Sequence, residues 1–420
     1  DSSMEIPRDK YVQELIDRKH NGLIKVITGI RRVGKSYLLS TLYYRHLIQS
    51  GVDADHIIRI AFDDRKHLAL KNPDALLAYL DSCMTDEGMY YLFFDEVQEL
   101  DSFESVLNSL LYRENVDIYV TGSNSRFLSK DVLTEFRGRG DEVHLFPLTF
   151  AEFMSVYAGD RYEGWNEYYT FGGLPMILTR KTWQQKSEYL SHLFDETYLK
   201  DIIARNNIRH PDELETLITI LASAVGSLTN PKRIADTFKT EKSSSLSQVT
   251  VKSYLDFLED AFLIHGVHRY DVKGRRYIST PLKYYFEDVG LRNAKLNFRQ
   301  QEENHIMENI IYNELRKRGY NVDVGVVEKQ VKQEDGKYQR KQYEVDFIVN
   351  QGSVRYYIQS AFALPDAEKV RQEKMSLLNI DDSFKKIIVV KGPAMLKRDE
   401  DGVVTMSIFD FLLNENSLEL

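Results

Sequence analysis

The stretch VITGIRRVGKSYLLS, Val26 to Ser40, constrains the fold of this 420-residue chain more than any other. It joins a short apolar run, typical of a buried strand, to a glycine-containing turn and then to a pattern typical of a helix. The turn carries Arg31, Arg32 and Lys35. Because like charges at this spacing repel one another, we expect the turn to bind something strongly anionic.

The turn fits the pattern G-x-x-x-x-G-K-[ST], which binds nucleoside triphosphates when it follows a strand and opens a helix. Backbone N–H groups of such a turn surround a phosphate, and the helix N-terminus adds its dipole. Lys35 is expected to reach the β- and γ-phosphates, and the Ser36 hydroxyl to ligate Mg²⁺. The alternative is a glycine turn with chance cations. The residues predicted to bind ATP are Gly29, Ile30, Arg31, Arg32, Val33, Gly34, Lys35, Ser36 and Tyr37.

A pair of carboxylates ends a later apolar stretch, YYLFFDEVQEL. Hydrolysis needs a metal anchor and a group that polarises water, so Asp95 is expected to hold Mg²⁺ through water and Glu96 to polarise the attacking water. The alternative is a solvated acidic pair at the end of a strand.

Polar residues also end the next apolar stretch, VDIYVTGSNSRF. Thr121, Ser123 and Asn124 would lie beside the γ-phosphate if this strand lies between the strands that carry the two motifs. Gly-Ser-Asn is also ordinary turn chemistry, so their placement depends on the order of the strands.

Three patterns divide the chain. From Leu23 to Leu148 apolar runs alternate with amphipathic stretches, which predicts a parallel sheet covered on both faces. From residue 149 to about 300 the pattern is mostly helical, and from 301 it becomes helix, several strands, helix and strand. We therefore predict an α/β fold with a P-loop core at residues 1–150, a second domain at 151–300 and a third at 301–420.

Composition excludes several classes of protein. A formal charge of −9 excludes a generally basic nucleic-acid coat, although a local basic face stays open. The single cysteine, Cys83, cannot form an intramolecular disulfide. No apolar run approaches the roughly 18 residues of a membrane span, and the start, DSSMEIPRDK, has no apolar signal region. We expect a cytoplasmic protein with no membrane partner.

The chain resembles the bacterial and archaeal AAA-type ATPases that join a P-loop core to a winged helix and a C-terminal restriction-endonuclease-like domain. The matching stretches span nearly the whole chain and are GIRRVGKS, LFFDEVQ, VTGSNS, TEFRGRGDEVHLFPLTFAEF, FGGLP, YYFEDVGL and YEVDFIV. The resemblance implies ATP and Mg²⁺ as cofactors. It also implies that Lys35 and Ser36 bind phosphate and magnesium, that Asp95 and Glu96 form the acidic pair, and that Asn124 senses the γ-phosphate.

The same resemblance implies an arginine finger in FRGRGD, either Arg137 or Arg139, and we take Arg139 as the candidate. An arginine flanked by glycines before a strand could equally be a surface cation. In this fold class such an arginine commonly acts on a neighbouring subunit's nucleotide, which leaves a homo-oligomer open.

A winged helix is predicted in the middle segment. NPKRIADTF and the following SSSLSQVTVKSYLDFLEDAFLIHGVHRYDVKGRRYI indicate a helix, a turn, a longer helix and a hairpin through Asp271 to Gly274. The segment is cationic in an acidic protein, which favours contact with DNA phosphates. Contacts with protein or gating by nucleotide stay open, because acidic residues share the second helix. The cations are Lys232, Arg233, Lys252, Arg269, Lys273, Arg275, Arg276 and Lys283.

The C-terminal segment lacks part of a restriction-type nuclease site. Glu308 and Asp346 could supply two carboxylates, but Gln359-Ser360-Ala361 stands where a Glu-x-Lys is needed. We therefore expect an inactive scaffold. A working nuclease stays open if Lys369 or Lys374 enters the site.

Taken together, these patterns predict an ATPase that uses Mg-ATP to drive a conformational change, with DNA as a candidate partner. One alternative is an ATP-regulated nuclease, which needs a metal site at Glu308 and Asp346. The other is a nucleotide-gated DNA or protein adaptor with little hydrolysis, against which Glu96 argues, because a pure binder needs no carboxylate to polarise water.

Overall fold

The computed structural model of the chain describes residues 5–123, 127, 130–241, 245–299, 302–364, 367–392 and 394–420, with the backbone alone at 130 and 131. Within these ranges, none of the helices combines the length and the apolar character needed to cross a lipid bilayer.

Five parallel strands form the first sheet, as the alternating pattern predicts. They are β1 (Ile24–Thr28), β2 (Ile57–Ala61), β3 (Tyr90–Asp95), β4 (Val116–Thr121) and β5 (Gly140–His144). Their order across the sheet is β2-β3-β4-β1-β5, and every pair is parallel. β4 therefore lies between the strand before the glycine turn and the strand that ends in Asp95, which is the condition on which the placement of Thr121 and Ser123 depends.

Helices cover both faces of this sheet. They are α1 (Asp9–Asp17), α2 (Lys35–Tyr37), α3 (Tyr44–Gln49), α4 (Pro73–Cys83) and α5 (Phe103–Leu110), and a π turn joins α2 to α3. Alternate side chains of β3 enter two separate apolar clusters, Tyr91 and Phe93 on one face and Leu92 and Phe94 on the other. A parallel sheet buried on both faces, with the glycine turn after β1, is the P-loop NTPase fold.

The middle of the chain is mostly helical, as predicted. Its helices are α6 (Phe150–Met154), α7 (Arg161–Phe171), α8 (Trp183–Leu193), α9 (Leu199–Asn206), α10 (Pro211–Ser223), α11 (Pro231–Glu241), α12 (Gln248–Asp260) and α13 (Val289–Lys295). Its strands are β6 (Leu228–Thr229), β7 (Ile264–Asp271) and β8 (Arg276–Phe286). The predicted hairpin is present, because β7 and β8 pair antiparallel around a turn closed by the Asp271 carboxylate and the Gly274 N–H.

The last segment has the predicted order of helix, strands, helix and strand. It contains α14 (Glu303–Lys317), β9 (Asn321–Lys332), β10 (Tyr338–Gln351), β11 (Val354–Ala361), α15 (Ala367–Leu378), β12 (Lys385–Val390), β13 (Lys397–Arg398), β14 (Val403–Ser407) and α16 (Ile408–Leu413).

One mixed sheet joins the second and third segments. Its order is β13-β14-β12-β11-β10-β9-β7-β8-β6, and β7 pairs parallel with β9, Arg269 opposite Val324. Hydrogen bonds of a single sheet therefore cross the boundary predicted at residue 300. The division into three domains stays a prediction.

Candidate active site

The glycine turn after β1 has the backbone that a phosphate cradle needs. Gly29 and Gly34 have φ values of 146° and 106°, which side chains rarely adopt. A Cβ at Gly29 would lie 2.6 Å from the carbonyl oxygen of Leu145, so a larger residue would displace the turn from β5. Arg32 also has positive φ, at 67°. Three of the residues of this turn therefore have the left-handed backbone that side chains rarely adopt.

Lys35 points back into the turn. Its side chain is 7% exposed, and its Nζ donates to the carbonyl oxygens of Gly29, at 2.7 Å, and Ile30, at 3.4 Å. Burial lowers the pKa of Lys35 to about 7, although the nearby carboxylates of Glu96 and Asp95 act to raise it. Gly29 and Ile30 thus contribute carbonyl oxygens, while the Ile30 side chain is buried in the core.

Three strand ends meet beside the turn. The Ser36 hydroxyl donates to Asp95 Oδ1 at 2.7 Å, and the Thr121 hydroxyl donates to the same oxygen. Because β3 and β4 are parallel neighbours, their carboxyl ends bring Asp95 and Thr121 together at one edge of the sheet. A hydroxyl and a carboxylate are hard oxygen ligands of the kind that Mg²⁺ prefers, so this pair fits the predicted metal.

Glu96 is held in one orientation. It follows β3 with a φ of 54°, and its Oε2 accepts hydrogen bonds from Gln98 Nε2, at 2.6 Å, and from the Ser123 hydroxyl. Two donors on a carboxylate oxygen fix the side chain without removing its ability to accept a proton. The structure thus gives Ser123 a specific task and adds Gln98, which lies two residues beyond Glu96 and was not singled out from the sequence.

One cavity of about 670 Å³ is lined by Lys35, Ser36, Glu96 and Ser123. This volume lies within the range of small-molecule and cofactor sites. The turn and the strand ends contribute polar groups, and more distant segments contribute the apolar Ile6, Leu148, Pro175 and Met176 together with polar residues. Its lining comprises Ile6, Arg8, Arg31, Arg32, Val33, Gly34, Lys35, Ser36, Tyr37, Asp63, Glu96, Ser123, Leu148, Pro175, Met176, Thr179 and Thr197.

Arg31 differs from what the sequence suggested. It forms a two-pronged ion pair with Asp201 of α9, at 2.7 and 3.1 Å, and the Tyr198 hydroxyl donates to its carbonyl oxygen at 2.5 Å. The chain itself therefore supplies an anion for this cation. Arg32 and Lys35 line the cavity as well.

The two remaining candidates predicted from the sequence are Asn124 and Arg139. Asn124 lies outside the described residues. Arg139 is exposed, its guanidinium carbon lies 5.7 Å from the ring centre of Tyr112, and its carbonyl oxygen accepts from the N–H of Ile24, the first residue of β1. Arg139 is thus at the amino-terminal edge of the parallel sheet and the glycine turn is at the carboxyl edge. Arg139 is therefore not among the residues that line the cavity.

Comparisons with known proteins give two family matches and several uncharacterised relatives. A family model described as an AAA domain matches residues 21–154, and a model described as a domain of unknown function matches residues 162–302. An uncharacterised protein of Haemophilus influenzae is 33% identical over 415 residues, which is 97% of this chain and 98% of that protein. An uncharacterised protein of Methanocaldococcus jannaschii is 30% identical over 366 residues, 84% and 77% of the two chains.

Solved structures give a weaker match. The Aeropyrum pernix ORC1 protein in complex with DNA is 12% identical, with a TM-score of 0.30 over 70% of this chain and 94% of that one. A TM-score this low supports no argument about function. The full-length relatives, the AAA-domain match and the P-loop fold together place the protein in a family of AAA-type P-loop ATPases found in bacteria and archaea.

Proposed function

We propose that this protein binds Mg-ATP and hydrolyses it, and that turnover moves the helical segment and the C-terminal half relative to the P-loop core. The observation that carries the proposal is the 2.7 Å contact between the Ser36 hydroxyl and Asp95, in a cavity that Lys35 and Glu96 also line. A phosphate-binding lysine, a metal-ligand pair and an oriented carboxylate are the parts that phosphoryl transfer to water requires.

Each residue then has a defined task. Lys35 binds the β- and γ-phosphates, and Ser36 and Asp95 hold Mg²⁺ in place. Bound Mg²⁺ neutralises charge that develops on the phosphate oxygens. Glu96, fixed by Gln98 and Ser123, orients the attacking water and accepts its proton.

The contacts of Arg31 support coupling to the rest of the chain. Arg31 and Tyr198 join the glycine turn to α9, and a small cavity beside them is also lined by Phe257 and Ala261 of α12 and its C-terminal end. A shift of the turn on nucleotide binding would therefore strain the Arg31–Asp201 ion pair and move α9 against α12. Small shifts are amplified in this way where packed elements have two discrete arrangements.

Phosphate release by the full chain tests the proposal. Lys35→Ala should abolish nucleotide binding or hydrolysis, and Glu96→Gln should retain ATP binding while turnover falls by at least about 100-fold. Glu99→Gln is the matched control, because Glu99 is close in sequence but pairs with Lys71 outside the cavity. Equal turnover in the wild type and all three variants would refute the proposal and favour the adaptor.

We further propose that α11, α12 and the β7–β8 hairpin act as a winged helix that contacts duplex DNA. Six of the eight cations counted in the sequence are exposed, namely Lys232, Arg233, Lys252, Lys273, Arg275 and Arg276. Arg269 is instead buried and donates to the carbonyl oxygens of Thr280 and Pro281, and Lys283 is buried among carboxylates. The cations available to phosphates are thus fewer than the sequence suggested.

The C-terminal segment is proposed to be a restriction-endonuclease-like scaffold that does not cut DNA. Lys283 Nζ lies 2.5 Å from Glu344, 3.3 Å from Glu308 and 3.9 Å from Asp346. An ammonium group therefore lies among the carboxylates that a nuclease would present to a metal. Asp346 also accepts from the backbone N–H of Ser360 at 2.8 Å, so the chain itself supplies this carboxyl group with a hydrogen-bond donor.

Plasmid DNA incubated with the protein in Mg²⁺ or Mn²⁺ tests this proposal. We expect no cleavage above a buffer control. Cleavage that disappears in Asp346→Ala but persists in Asp335→Ala, a change at the exposed tip of the β9–β10 hairpin, would instead establish the ATP-regulated nuclease.

A further inference from the structure

A buried carboxylate in the second half of the chain bonds a turn that leads into the lining of the candidate cavity. Asp288 is 2% exposed and caps α13, where its side chain accepts from the N–H of Leu291. The same carboxylate accepts from the N–H of Gly173 at 2.8 Å. It therefore bonds the start of α13 to the turn that follows α7.

Glycine is required on both sides of this contact. A Cβ at Gly172, whose φ is 77°, would lie 2.4 Å from the Asp288 carboxylate. A Cβ at Gly173 would lie 2.6 Å from the carbonyl oxygen of Leu148, and one at Gly290 would lie 2.1 Å from the carbonyl oxygen of Phe171. At Gly173 and Gly290 the opposing atoms belong to the backbone, so no flexible side chain can move aside to make room for a Cβ. The turn and α13 are thus packed at a separation that side chains do not permit.

The turn held by Asp288 is continuous with the cavity wall. Pro175 and Met176 follow Gly173 by two and three residues and line the cavity, as does Leu148. The N–H of Leu148 donates to the carbonyl oxygen of Gly173 at 2.7 Å, and the carbonyl oxygen of Leu148 accepts from the Tyr168 hydroxyl at 2.6 Å. Movement of the turn would therefore move both chain segments that line this part of the cavity, the one at Leu148 and the one at Pro175 and Met176.

The two parts of the cavity lining differ in chemistry. The glycine turn offers Lys35, Ser36 and backbone N–H groups, which suit phosphates, whereas Pro175 and Met176 expose apolar atoms, which suit a planar base. We propose that Asp288 is a positioning residue for the nucleoside part of the ligand, which it serves by holding the Gly172–Gly173 turn and the wall beyond it. This inference rests on the proposed function, since it assumes that the cavity binds a nucleotide.

Affinities of the full chain for ADP and for inorganic pyrophosphate test the two parts of the cavity separately, because pyrophosphate has no nucleoside. Asp288→Asn keeps the size of the side chain but replaces one acceptor oxygen with a donor, which cannot serve a backbone N–H. We expect the Kd for ADP to rise about tenfold, the cost of one charge-assisted hydrogen bond, while the Kd for pyrophosphate changes less than about twofold. Asp160→Asn is the matched control, because Asp160 caps the opposite end of α7 and is exposed.

A second variant keeps the inference testable if Asp288→Asn unfolds. Met176→Ala truncates the wall and leaves the Asp288 contacts intact, and it should also weaken ADP binding without weakening pyrophosphate binding. Unchanged ADP binding in Met176→Ala, or an equal loss of both ligands in folded Asp288→Asn, would overturn the inference. Wild-type protein that binds neither ligand would overturn the proposed function itself, and the inference with it.

Discussion

The ammonium group of Lys35 lies 2.7 Å from the carbonyl oxygen of Gly29, the first residue of the turn that Lys35 ends. Two opposing effects act on this group. Burial lowers its pKa, to about 7, and the carboxylates of Glu96 and Asp95 oppose that shift. A phosphate ligand adds negative charge beside it and favours the charged form. The proposed binding of a nucleotide would therefore be linked to the protonation of one lysine.

The first prediction concerns pH. Raising the pH above 7 removes the proton from Lys35 in the free protein, so ligand binding must restore it, and affinity for ADP should fall about tenfold between pH 8 and 9. Calorimetry at pH 8 in two buffers of different ionisation enthalpy should show uptake of close to one proton. Lys35→Met should bind ADP weakly, and its affinity should not change with pH in this range. Affinity in the wild type that does not change between pH 8 and 9 would contradict the linkage.

The second prediction concerns magnesium. Ser36→Ala removes a hydroxyl that contacts Asp95, and the Mg²⁺ concentration for half-maximal turnover should rise at least about tenfold. Ser40→Ala, one turn further along the same continuous helix and outside the cavity lining, should leave it unchanged. The same magnesium requirement in both variants would show that Ser36 is not a ligand.

The third prediction concerns Arg139. Because Arg139 lies at the opposite edge of the sheet from the glycine turn, we expect it to serve the nucleotide of a second copy. If Arg139 is an arginine finger, Arg139→Ala should lower turnover by about 10³-fold. An equal mixture of Arg139→Ala and Lys35→Ala proteins should regain activity, because the Arg139→Ala copy supplies an intact nucleotide site and the Lys35→Ala copy supplies an intact arginine at the interface between them. Arg137→Ala is the comparison, since Arg137 is equally exposed. A mixture no more active than its two components would exclude action between copies.

The fourth prediction concerns Lys283. Burial opposes its charge, but Glu308, Asp346 and Glu344 outweigh burial and hold the pKa of Lys283 above its usual range. Lys283→Met leaves these carboxylates without a cation and should lower the free energy of unfolding by about 3–5 kcal/mol at pH 7. The deficit should shrink as the pH falls, because burial and Glu308 raise the pKa of Asp346 and its protonation removes a repelling charge.

Urea unfolding at pH 5 and pH 7 measures this effect. Lys273→Met, an exposed change on the same hairpin, should stay within about 0.5 kcal/mol of the wild type. A Lys283→Met variant as stable as Lys273→Met would show that the carboxylates do not depend on this lysine.

The fifth prediction concerns DNA. If four or five of the exposed cations contact phosphates, the log-log slope of affinity against salt should be about −4. Replacing both Arg275 and Arg276 with Glu should flatten that slope, while the same change at Arg65 and Lys66, an exposed pair on the P-loop core, should not. No retention of duplex DNA at low salt would favour a winged helix that contacts protein.

Local patterns in the sequence were enough to predict the core of the site. Glycines with positive φ, a lysine and a serine at fixed spacing, and a strand that ends in two acids each depend on neighbours along the chain, because the backbone of a turn and the end of a strand are set locally. The strand order meets the condition set for Thr121 and Ser123, whose hydroxyls bond Asp95 and Glu96, and their placement beside a γ-phosphate stays a prediction. The roles proposed for these residues stay predictions until turnover is measured.

What the sequence alone determined was therefore the alternating α/β pattern, the phosphate turn and the acidic pair. Only the tertiary structure decided which cations face solvent and which are paired. Arg31 with Asp201 and Lys283 with Glu308 are separated by 170 and 25 residues, and no spacing rule connects them. The physical reason is that a charge removed wholly or partly from water is stabilised by a counterion in three dimensions, and packing of one segment on another decides which carboxylate that is.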